Sequence, residues 1–379
     1  MQLEGNIPGV GCAKVEVTDE HISSVTISGA ENAELPFISP GFVDIQVNGF
    51  AGVDFSSADL DAEKAISILP AIWGTGTTSF CPTLITNSIA ALTRNFAVLE
   101  QAAHLNPDFA HAVPCYHLEG PYISPHGSHG THDPQWMHPP DWDEFMGLQR
   151  AAGGRIGIVT LGPEMPGAED FIRKAKSAGV IVAIGHTDGT SDDVHRAAAA
   201  GATLNTHLGN GCAEYIHRHK APLWAQLADE SLHASIICDG FHLPPDVVKV
   251  IVKVKGIDKI ILVTDAVHLA QLPPGKYTLV GTDIELLPSG QVVRADRVSM
   301  AGSSLAMNRG VAVFIKFSQC SLASAIQAAT TNPANLLRQP SVCSQVAAGQ
   351  PANLVLFRQE PETLKVVRVF SQGRCVYSA

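Results

Sequence analysis

The segment Cys115-Tyr-His-Leu-Glu-Gly-Pro-Tyr122 carries a run of strand-forming residues to a carboxylate, Glu119, and then breaks at once into Gly-Pro. A carboxylate at the end of a buried strand costs free energy unless a cation meets it. Two later apolar runs end in a comparable way on a histidine, at His186 and at His207. One carboxylate oxygen and two imidazole nitrogens make the ligand set of an open catalytic zinc-type site, which keeps its fourth position for water. The three strand ends therefore predict a metal site.

Outward from this segment, strand-like apolar runs alternate with helical patterns, the order that is typical of a parallel sheet. The predicted strands are 42–47, 78–84, 113–118, 156–161, 180–184, 202–206, 233–238 and 259–264. Helical patterns lie between most of them, as at 61–69, 191–200 and 245–254. Eight such units predict an α/β fold, a (β/α)8 TIM-like barrel whose active site forms at the C-terminal ends of the strands. A β-hairpin is predicted over 276–299.

The two ends of the chain have a different residue pattern from the middle. Short alternating runs such as Lys14–Val17 and Lys365–Phe370 predict small β-strands near both termini. They indicate a small β-sandwich domain formed by residues 1–38 and 346–379, with the catalytic barrel at 39–345 inserted between them.

Composition excludes several functional classes. The formal net charge is −11, and no basic cluster suited to a phosphate backbone occurs, so a nucleic-acid partner is not expected. With 45% hydrophobic and 16% charged residues, the chain is typical of globular proteins, and no apolar run is long enough for a membrane span. Eight scattered cysteines without a Cys-x-x-Cys pair suit a reducing compartment. The first residues do not resemble a signal peptide, so a cytoplasmic protein is expected.

A fourth strand end adds a proton-transfer group. The run Ile260-Ile-Leu-Val-Thr-Asp265 ends on an aspartate at the last barrel position. Hydrolysis at a metal requires a group that takes a proton from water and gives one to the leaving group, and a nearby carboxylate can do both. An aspartate after a strand also commonly caps the following turn, so Asp265 taken alone leaves both interpretations open. Its placement together with the three candidate ligands favours the catalytic one.

Several motifs then resemble one known family. They are Ser39-Pro-Gly-Phe-Val-Asp-Ile-Gln-Val-Asn-Gly49, Cys81-Pro-Thr-Leu-Ile-Thr86, His117-Leu-Glu-Gly-Pro121, Gly185-His186, Thr206-His-Leu208, Asp239-Gly-Phe-His242, Val263-Thr-Asp-Ala266 and Met300-Ala-Gly-Ser303. In this order they resemble the N-acetylglucosamine-6-phosphate deacetylases of the amidohydrolase superfamily. The resemblance implies a metal-dependent hydrolase that converts N-acetylglucosamine 6-phosphate to glucosamine 6-phosphate and acetate.

By this resemblance, Glu119, His186 and His207 hold the metal and Asp265 is the general acid/base. Many members of the superfamily place a His-x-His pair at the end of the first barrel strand for a second metal, whereas this chain has Gln46-Val-Asn48 there. An amide oxygen is a much weaker ligand for a transition metal than imidazole. We therefore expect one divalent ion per subunit, zinc first, with Fe²⁺, Co²⁺ and Mn²⁺ as alternatives.

The resemblance also implies the residues that contact the sugar phosphate, which are His132, Asn210, Gly211, Arg218, His242 and Ser303. Arg218 would reach the phosphate from the neighbouring subunit of a homodimer. It lies in the cationic run Ile216-His-Arg-His-Lys220, for which a solvated loop remains the alternative interpretation. For the segment that contains Ser303, a tight turn remains the alternative.

The sequence departs from the family after the second histidine. The usual string is His-Leu-x-Asn-Ala-Met, and here it reads His207-Leu-Gly-Asn-Gly-Cys212. This difference leaves the assignments of the metal ligands and the base unchanged, but it leaves the substrate open. A deacetylase of another N-acetylhexosamine phosphate, or of a different amide, stays an alternative, as does a non-catalytic sugar-phosphate-binding protein.

Overall fold

The computed structural model describes residues 1–279, 281–294 and 300–379. The strands in these ranges are β1 Gln2–Ile7, β2 Gly11–Thr18, β3 His21–Gly29, β4 Phe37–Pro40, β5 Phe42–Val47, β6 Gly49–Phe50, β7 Val53–Asp54, β8 Thr77–Ile85, β9 Tyr116–Glu119, β10 Ile156–Leu161, β11 Ile181–Ile184, β12 Leu204–Asn205, β13 His233–Ile237, β14 Ile260–Val263, β15 Gly275–Leu279, β16 Thr282–Leu286, β17 Val292–Arg294, β18 Leu354–Gln359, β19 Leu364–Ser371 and β20 Arg374–Ser378. The α-helices are α1 Ala62–Ser67, α2 Leu69–Trp73, α3 Ile89–Leu105, α4 Pro107–Ala112, α5 Trp142–Ala151, α6 Ala168–Ser177, α7 Ser191–Ala200, α8 Pro222–Ala228, α9 Pro245–Lys255, α10 Met307–Ser318, α11 Leu322–Ala329 and α12 Thr331–Leu337.

Eight parallel strands form the central sheet, in the order β5-β8-β9-β10-β11-β12-β13-β14. Hydrogen bonds beyond the last strand close the ring, because the Asp265 N–H donates to Gln46 O at 3.0 Å and the Asn48 N–H donates to Ala266 O at 2.8 Å. Inside the seam, the buried Asp44 carboxylate of β5 accepts hydrogen bonds from the backbone N–H and the hydroxyl of Thr264. The predicted TIM-like barrel is confirmed.

The predicted barrel strands all occur, and six of the eight have shifted ends. The third begins at Tyr116 rather than Val113, because Val113 still caps the short helix α4. The sixth shrinks to Leu204–Asn205. Both faces of the strands are buried, which explains their nearly continuous apolar sequence.

Side chains from alternate positions fill the two sides of the sheet. One cluster lies inside the barrel and includes Val43, Ile158 and Ile261, whereas a larger one, which includes Phe80 and Phe145, packs the strands against the helices. Burial of this apolar surface is the main stabilising contribution to the barrel. The C-terminal strand ends are thereby held rigidly, which is what a site assembled from several strands requires.

Both termini contribute to one seven-stranded sheet, in the order β20-β19-β18-β4-β1-β2-β3. The strands from the two ends share a buried cluster that includes Leu3, Val15 and Leu354. The strand β4 joins the two sets, pairing with β18 on one side and with β1 on the other. Because the predicted domain boundary at 38/39 falls inside β4, the division into two domains stays a prediction.

A third sheet, β15-β16-β17, is antiparallel and follows the last barrel strand. It corresponds to the described part of the hairpin predicted over 276–299, whose residues 280 and 295–299 lie outside the described ranges. Within those ranges, none of the helices combines the length and the apolar character needed to cross a membrane.

Candidate active site

Three of the residues singled out in the sequence meet at the C-terminal mouth of the barrel. Glu119 is the last residue of β9, while His186 and His207 follow β11 and β12. The Oε1 atom of Glu119 lies 3.1 Å from His186 Nε2 and 3.0 Å from His207 Nε2, and the two Nε2 atoms lie 3.1 Å apart. All three side chains are buried. The three candidate ligand atoms thus form a nearly equilateral triangle.

This triangle fits a tetrahedral cation. With ligand bonds of about 2.0–2.2 Å, neighbouring ligand atoms of a tetrahedral zinc site lie about 3.3 Å apart. The observed separations are slightly shorter, and among the described residues this is the group whose ligand atoms converge in this way. Two imidazoles and a carboxylate suit Zn²⁺ or a similar transition ion better than Mg²⁺ or Ca²⁺.

The orientation of His186 supports the same interpretation. Its Nδ1–H donates to the backbone oxygen of Ser128 at 3.0 Å, which leaves the Nε2 lone pair directed at Glu119 and His207. Such a hydrogen bond on the outer nitrogen is the usual way in which a protein orients a histidine ligand. The Nδ1 of His207 is buried and has no hydrogen-bond partner among the described residues.

The electrostatics of the triangle favour a positive charge at its centre. Burial opposes the ionisation of Glu119, but the hydrogen bonds with His186 and His207 outweigh it and hold the pKa of Glu119 well below its ordinary value. Burial likewise acts against protonation of His207, yet the contact with Glu119 raises its pKa. A bound divalent ion would supply the same positive charge without a proton.

The backbone at this site is strained in a consistent way. His186, His207 and Asp265 all have a positive φ, at 50°, 30° and 49°. For a residue with a Cβ, this left-handed conformation costs roughly 1–2 kcal/mol. In each case the residue comes two positions after the last residue of its strand, so the chain turns sharply just where the side chain must point over the barrel mouth.

Asp265 belongs to the same cavity of about 460 Å³ as the triangle. Its Oδ1 accepts a hydrogen bond from Asn48 Nδ2 at 2.7 Å. Burial, together with the negative charge of Glu119, raises the pKa of Asp265 to about 6. A carboxyl group with that pKa can take up and release a proton near neutral pH, which general acid/base catalysis requires.

The two amides at the end of the first barrel strand contact the carboxylates of Glu119 and Asp265. Gln46 Nε2 donates to Glu119 Oε1 at 2.9 Å, and Asn48 donates to Asp265. At both positions the amide N–H groups thus serve as hydrogen-bond donors to the carboxylates, and an N–H group cannot be a metal ligand. The Oδ1 of Asn48 is buried and has no hydrogen-bond partner among the described residues. The number of ions in the site stays a prediction.

Two of the predicted substrate contacts line this cavity as fixed imidazoles. The His132 Nδ1 lies 2.7 Å from the Thr86 hydroxyl, and burial beside His186 lowers the pKa of His132 to about 3, so the ring is neutral. The His242 Nδ1 lies 2.7 Å from Asp239 Oδ2. Each contact occupies one ring nitrogen and leaves the other for a ligand.

Asn210 and Gly211 also line the cavity. The backbone N–H and the side-chain Nδ2 of Asn210 both donate to His207 O, at 2.9 and 3.2 Å, so a ligand contact would use the second N–H or the Oδ1 of the side-chain amide. Gly211, at φ 57°, packs closely against both histidines of the triangle, since a Cβ there would lie 2.9 Å from His186 Nδ1 and 3.0 Å from His207 Cε1. The glycine that departs from the family pattern therefore gives the two imidazoles more room.

The other two predicted contacts lie elsewhere in the single chain. Arg218 is exposed on the loop before α8, where its carbonyl accepts from Trp224 Nε1, and it does not line the cavity. Ser303 is buried outside the cavity lining, and its hydroxyl donates to Thr264 O while its N–H donates to Asp265 O. Ser303 thus contacts the backbone of the Asp265 turn, and its predicted contact with substrate stays a prediction.

Sequence reasoning missed the group of residues that holds the loop above the triangle. The Asp188 Oδ2 accepts hydrogen bonds from Ser124 Oγ at 2.6 Å and from Ser128 Oγ at 2.8 Å. Ser128 in turn orients His186 through its carbonyl oxygen. The position of Asp188, two residues after a candidate ligand, was the available signal, whereas nothing in the sequence singles out a carbonyl. Asp239 did have a signal in the sequence, because it begins the Asp-Gly-Phe-His motif that ends on His242.

Comparison with known proteins agrees with this site. Residues 37–376 match the amidohydrolase family model. The N-acetylglucosamine-6-phosphate deacetylase of Bacillus subtilis is 32% identical over 86% of this chain and 82% of its own. The N-acetylgalactosamine-6-phosphate deacetylase of Escherichia coli O157:H7 is 29% identical over 93% of this chain and 91% of its own.

Solved structures give the same result. A mutant N-acetyl-D-glucosamine-6-phosphate deacetylase from Mycobacterium smegmatis, in complex with N-acetyl-D-glucosamine-6-phosphate, superposes with a TM-score of 0.88 at 28% identity, over 100% of this chain and 99% of the other. The N-acetylglucosamine-6-phosphate deacetylase from Thermotoga maritima gives a TM-score of 0.87 at 25% identity, over 100% of both chains.

Proposed function

This chain belongs to the amidohydrolase family and, within it, to the N-acetylglucosamine-6-phosphate deacetylases, and we propose that it catalyses the reaction for which that group is named. The products are glucosamine 6-phosphate and acetate. The observation that carries the proposal is the triangle of Glu119, His186 and His207 with Asp265 in the same cavity.

We propose that the triangle holds a single divalent ion and that this ion is Zn²⁺. When bound, such an ion lowers the pKa of a water molecule and polarises an amide carbonyl. The donor set supports zinc, with Fe²⁺, Co²⁺ and Mn²⁺ as alternatives that metal analysis will separate. The amides of Gln46 and Asn48 support a single ion, since both are directed at carboxylates.

Asp265 is the proposed general acid/base. As a carboxylate it takes the proton that the attacking water releases, and it then delivers that proton to the nitrogen of the departing amine. Asn48 keeps the carboxylate in one orientation by donating to Oδ1. His242, whose other ring nitrogen contacts Asp239, is a candidate donor to the substrate.

The phosphate is proposed to lie at the loop after β12, beside Asn210 and Gly211. No lysine or arginine occurs among the described residues that line the cavity, so within the described part of one chain the phosphate has no cationic partner. Arg218 of a second subunit would supply that charge, since a guanidinium binds phosphate oxygens in a bidentate manner. We therefore propose a homodimer in which each chain completes the site of the other.

We further propose a cytoplasmic location. All eight cysteines lie within the described ranges, and each is a free thiol outside any disulfide bond. Free thiols suit a reducing compartment.

The decisive experiment measures acetate release by the purified, metal-analysed protein. N-acetylglucosamine 6-phosphate, N-acetylgalactosamine 6-phosphate and unphosphorylated N-acetylglucosamine should be compared at equal concentration. We expect turnover of the first and little or none of the third. Preference for N-acetylgalactosamine 6-phosphate would instead indicate an N-acetylgalactosamine-6-phosphate deacetylase. Inactivity on all three compounds with stoichiometric metal would refute the proposed function.

A further inference from the structure

A second cavity of about 610 Å³ lies beside the catalytic one, and Asp54 lines both. We propose that this cavity accepts a neutral sugar unit linked to the amino-sugar phosphate, so that glycosylated N-acetylglucosamine 6-phosphate is also a substrate. The inference rests on the proposed deacetylase function and extends its substrate class.

The second cavity lies across the barrel from the phosphate loop. Its walls come from residues 52–64 after β5, from Asn87 after β8, and from His268, Thr278 and Gly281 in the segment after β14. The strands β14, β5 and β8 are consecutive in the closed ring. In the same ring β12, which precedes the loop with Asn210, is four positions from β8 and three from β5. A ligand anchored by its phosphate above β12 therefore extends toward the second cavity.

The chemistry of the substrate then selects the attachment point. In a pyranose, C2 and C5 stand across the ring from each other, so a 6-phosphate and a 2-acetamide occupy opposite ends. With the phosphate beside Asn210 and the acetamide at the triangle, the end of the ring away from the phosphate faces Asp54 and the second cavity. The hydroxyl groups at that end are O1 and O3, which flank the acetamide. A sugar linked at either oxygen would enter the second cavity.

The lining of the cavity suits a ligand with many hydroxyl groups. Ser56, Ser57, Asn87 and Thr278 contribute hydroxyls and an amide, and Asp54 contributes a carboxylate. His268 is 8% exposed, and its Nδ1 has no hydrogen-bond partner among the described residues, a state that carries a free-energy cost. Hydroxyl groups can donate to the carboxylate and accept from the amide, as they do in water.

Charge decides between a neutral and an anionic substituent. The charged residues of the lining are Asp54, Asp59 and Lys64, two acidic groups against one ammonium group. Burial raises the pKa of Asp54 to about 6, so this carboxyl is still mostly ionised at neutral pH. The Lys64 Nζ already donates to the Asp59 carbonyl at 2.6 Å and lies 3.7 Å from the Asp61 carboxylate. Burial lowers the pKa of His268, so that its ring adds no positive charge at neutral pH. A carboxylate or a second phosphate would meet net negative charge here, whereas a neutral sugar would not.

The test compares kcat/KM for N-acetylglucosamine 6-phosphate with that for disaccharides in which a neutral hexose is linked to O1 or to O3 of the same unit. We expect at least one disaccharide to stay within about tenfold of the free sugar, while an O3 ether that carries a carboxylate falls further. Loss of activity on both disaccharides, with the free sugar still turned over, would overturn this inference alone. Inactivity on the free sugar would instead refute the proposed function.

Two variants test whether the linked sugar binds in the second cavity. Ala58 and Thr278 are exposed residues of the second cavity that do not line the first, so Ala58→Trp and Thr278→Trp should fill it without disturbing the fold. Each should lower kcat/KM for the accepted disaccharide by at least about tenfold and change the free sugar by less than about twofold. Ala58→Ser is the matched control and should change neither. Equal losses on both substrates would show that the second cavity is not where the linked sugar binds.

Discussion

At the residue scale, three of the four candidate site residues, Glu119, His186 and Asp265, are each held by a partner that has no proposed role in the chemistry. Gln46 contacts Glu119, Asn48 contacts Asp265, and Ser128 contacts His186. These contacts fix which oxygen and which nitrogen face the centre of the cavity. They matter because a catalytic group displaced by about 1 Å can cost roughly 100-fold in rate.

Replacement of Asp265 by asparagine should separate catalysis from metal binding. Asparagine keeps the shape of the side chain but cannot take up a proton, so we expect kcat to fall by about 10²–10⁴. The metal content should stay unchanged, because Asp265 is not one of the three ligands. Acetate release and metal analysis measure the two effects, and Asp283→Asn on exposed β16 is the control. Full activity of the Asp265→Asn variant would contradict the proposed role of Asp265 as the general acid/base.

The pH dependence of activity should follow the ionisation of Asp265. Burial raises its pKa to about 6, and the base acts in the ionised form, so activity should be present above that pH and decline as the pH falls through it. A bound cation would shift this limb to lower pH. The Asn48 hydrogen bond favours the ionised carboxylate, hence Asn48→Ala should shift the acidic limb of kcat/KM to higher pH than in the unaltered enzyme. An unchanged limb would show that this hydrogen bond does not control the base.

Replacement of Glu119 by glutamine should act on the metal itself. It removes the negative charge that draws a cation between the two histidines, and we expect metal affinity to fall by at least about tenfold. Competition with a chelator measures this directly, without reference to activity. A metal-to-protein ratio that survives dialysis as well as in the unaltered enzyme would contradict the ligand assignment.

At the element scale, the loop after β9 and the turn after β11 form one hydrogen-bonded unit. Asp188 accepts from Ser124 and Ser128, and Glu164 accepts from the Asp188 N–H at 2.8 Å and from the Thr187 hydroxyl at 2.6 Å. The same loop continues to His132, which lines the cavity. The position of the loop and the orientation of His186 are therefore coupled.

Replacement of Asp188 by alanine should weaken the metal site from a distance. It leaves Ser124 and Ser128 without their shared acceptor, and the Ser128 carbonyl then loses its fixed position beside His186. We expect metal affinity to fall by about tenfold and KM for the sugar phosphate to rise. Asp192→Ala, on the exposed first turn of α7, is the control. If the Asp188 variant loses thermal stability but keeps its metal affinity and KM, the role of Asp188 is only structural.

At the scale of the whole molecule, the proposed dimer predicts that two defective chains can repair each other. Arg218→Ala should raise KM for the phosphorylated sugar, since the phosphate loses its cationic partner. A mixed dimer of Arg218→Ala and Asp265→Asn chains has one site that combines an intact Asp265 with an intact Arg218 from the partner. Refolding the two variants together should therefore give a higher kcat/KM for the phosphorylated sugar than either variant shows alone. No recovery in a verified mixed dimer would place Arg218 outside the site or within its own chain.

The sequence by itself determined the barrel and the candidate ligands. Parallel strands with helices between them turn all their carboxyl ends to one side, so Glu119, His186 and His207 could be grouped from their strand-end positions alone. The strands at 42–47 and 156–161 were predicted with their observed bounds, because both faces are buried and the apolar pattern is strong.

Only the tertiary structure decided how these residues are held and what surrounds them. Asn48 and Asp265 are 217 positions apart, and the partner of His186 is a backbone carbonyl, which has no sequence signature. The second cavity likewise arises where segments after three different strands meet. Strand periodicity is a local property of the chain, whereas hydrogen-bond partners and cavities depend on distances between loops that only the packed fold sets.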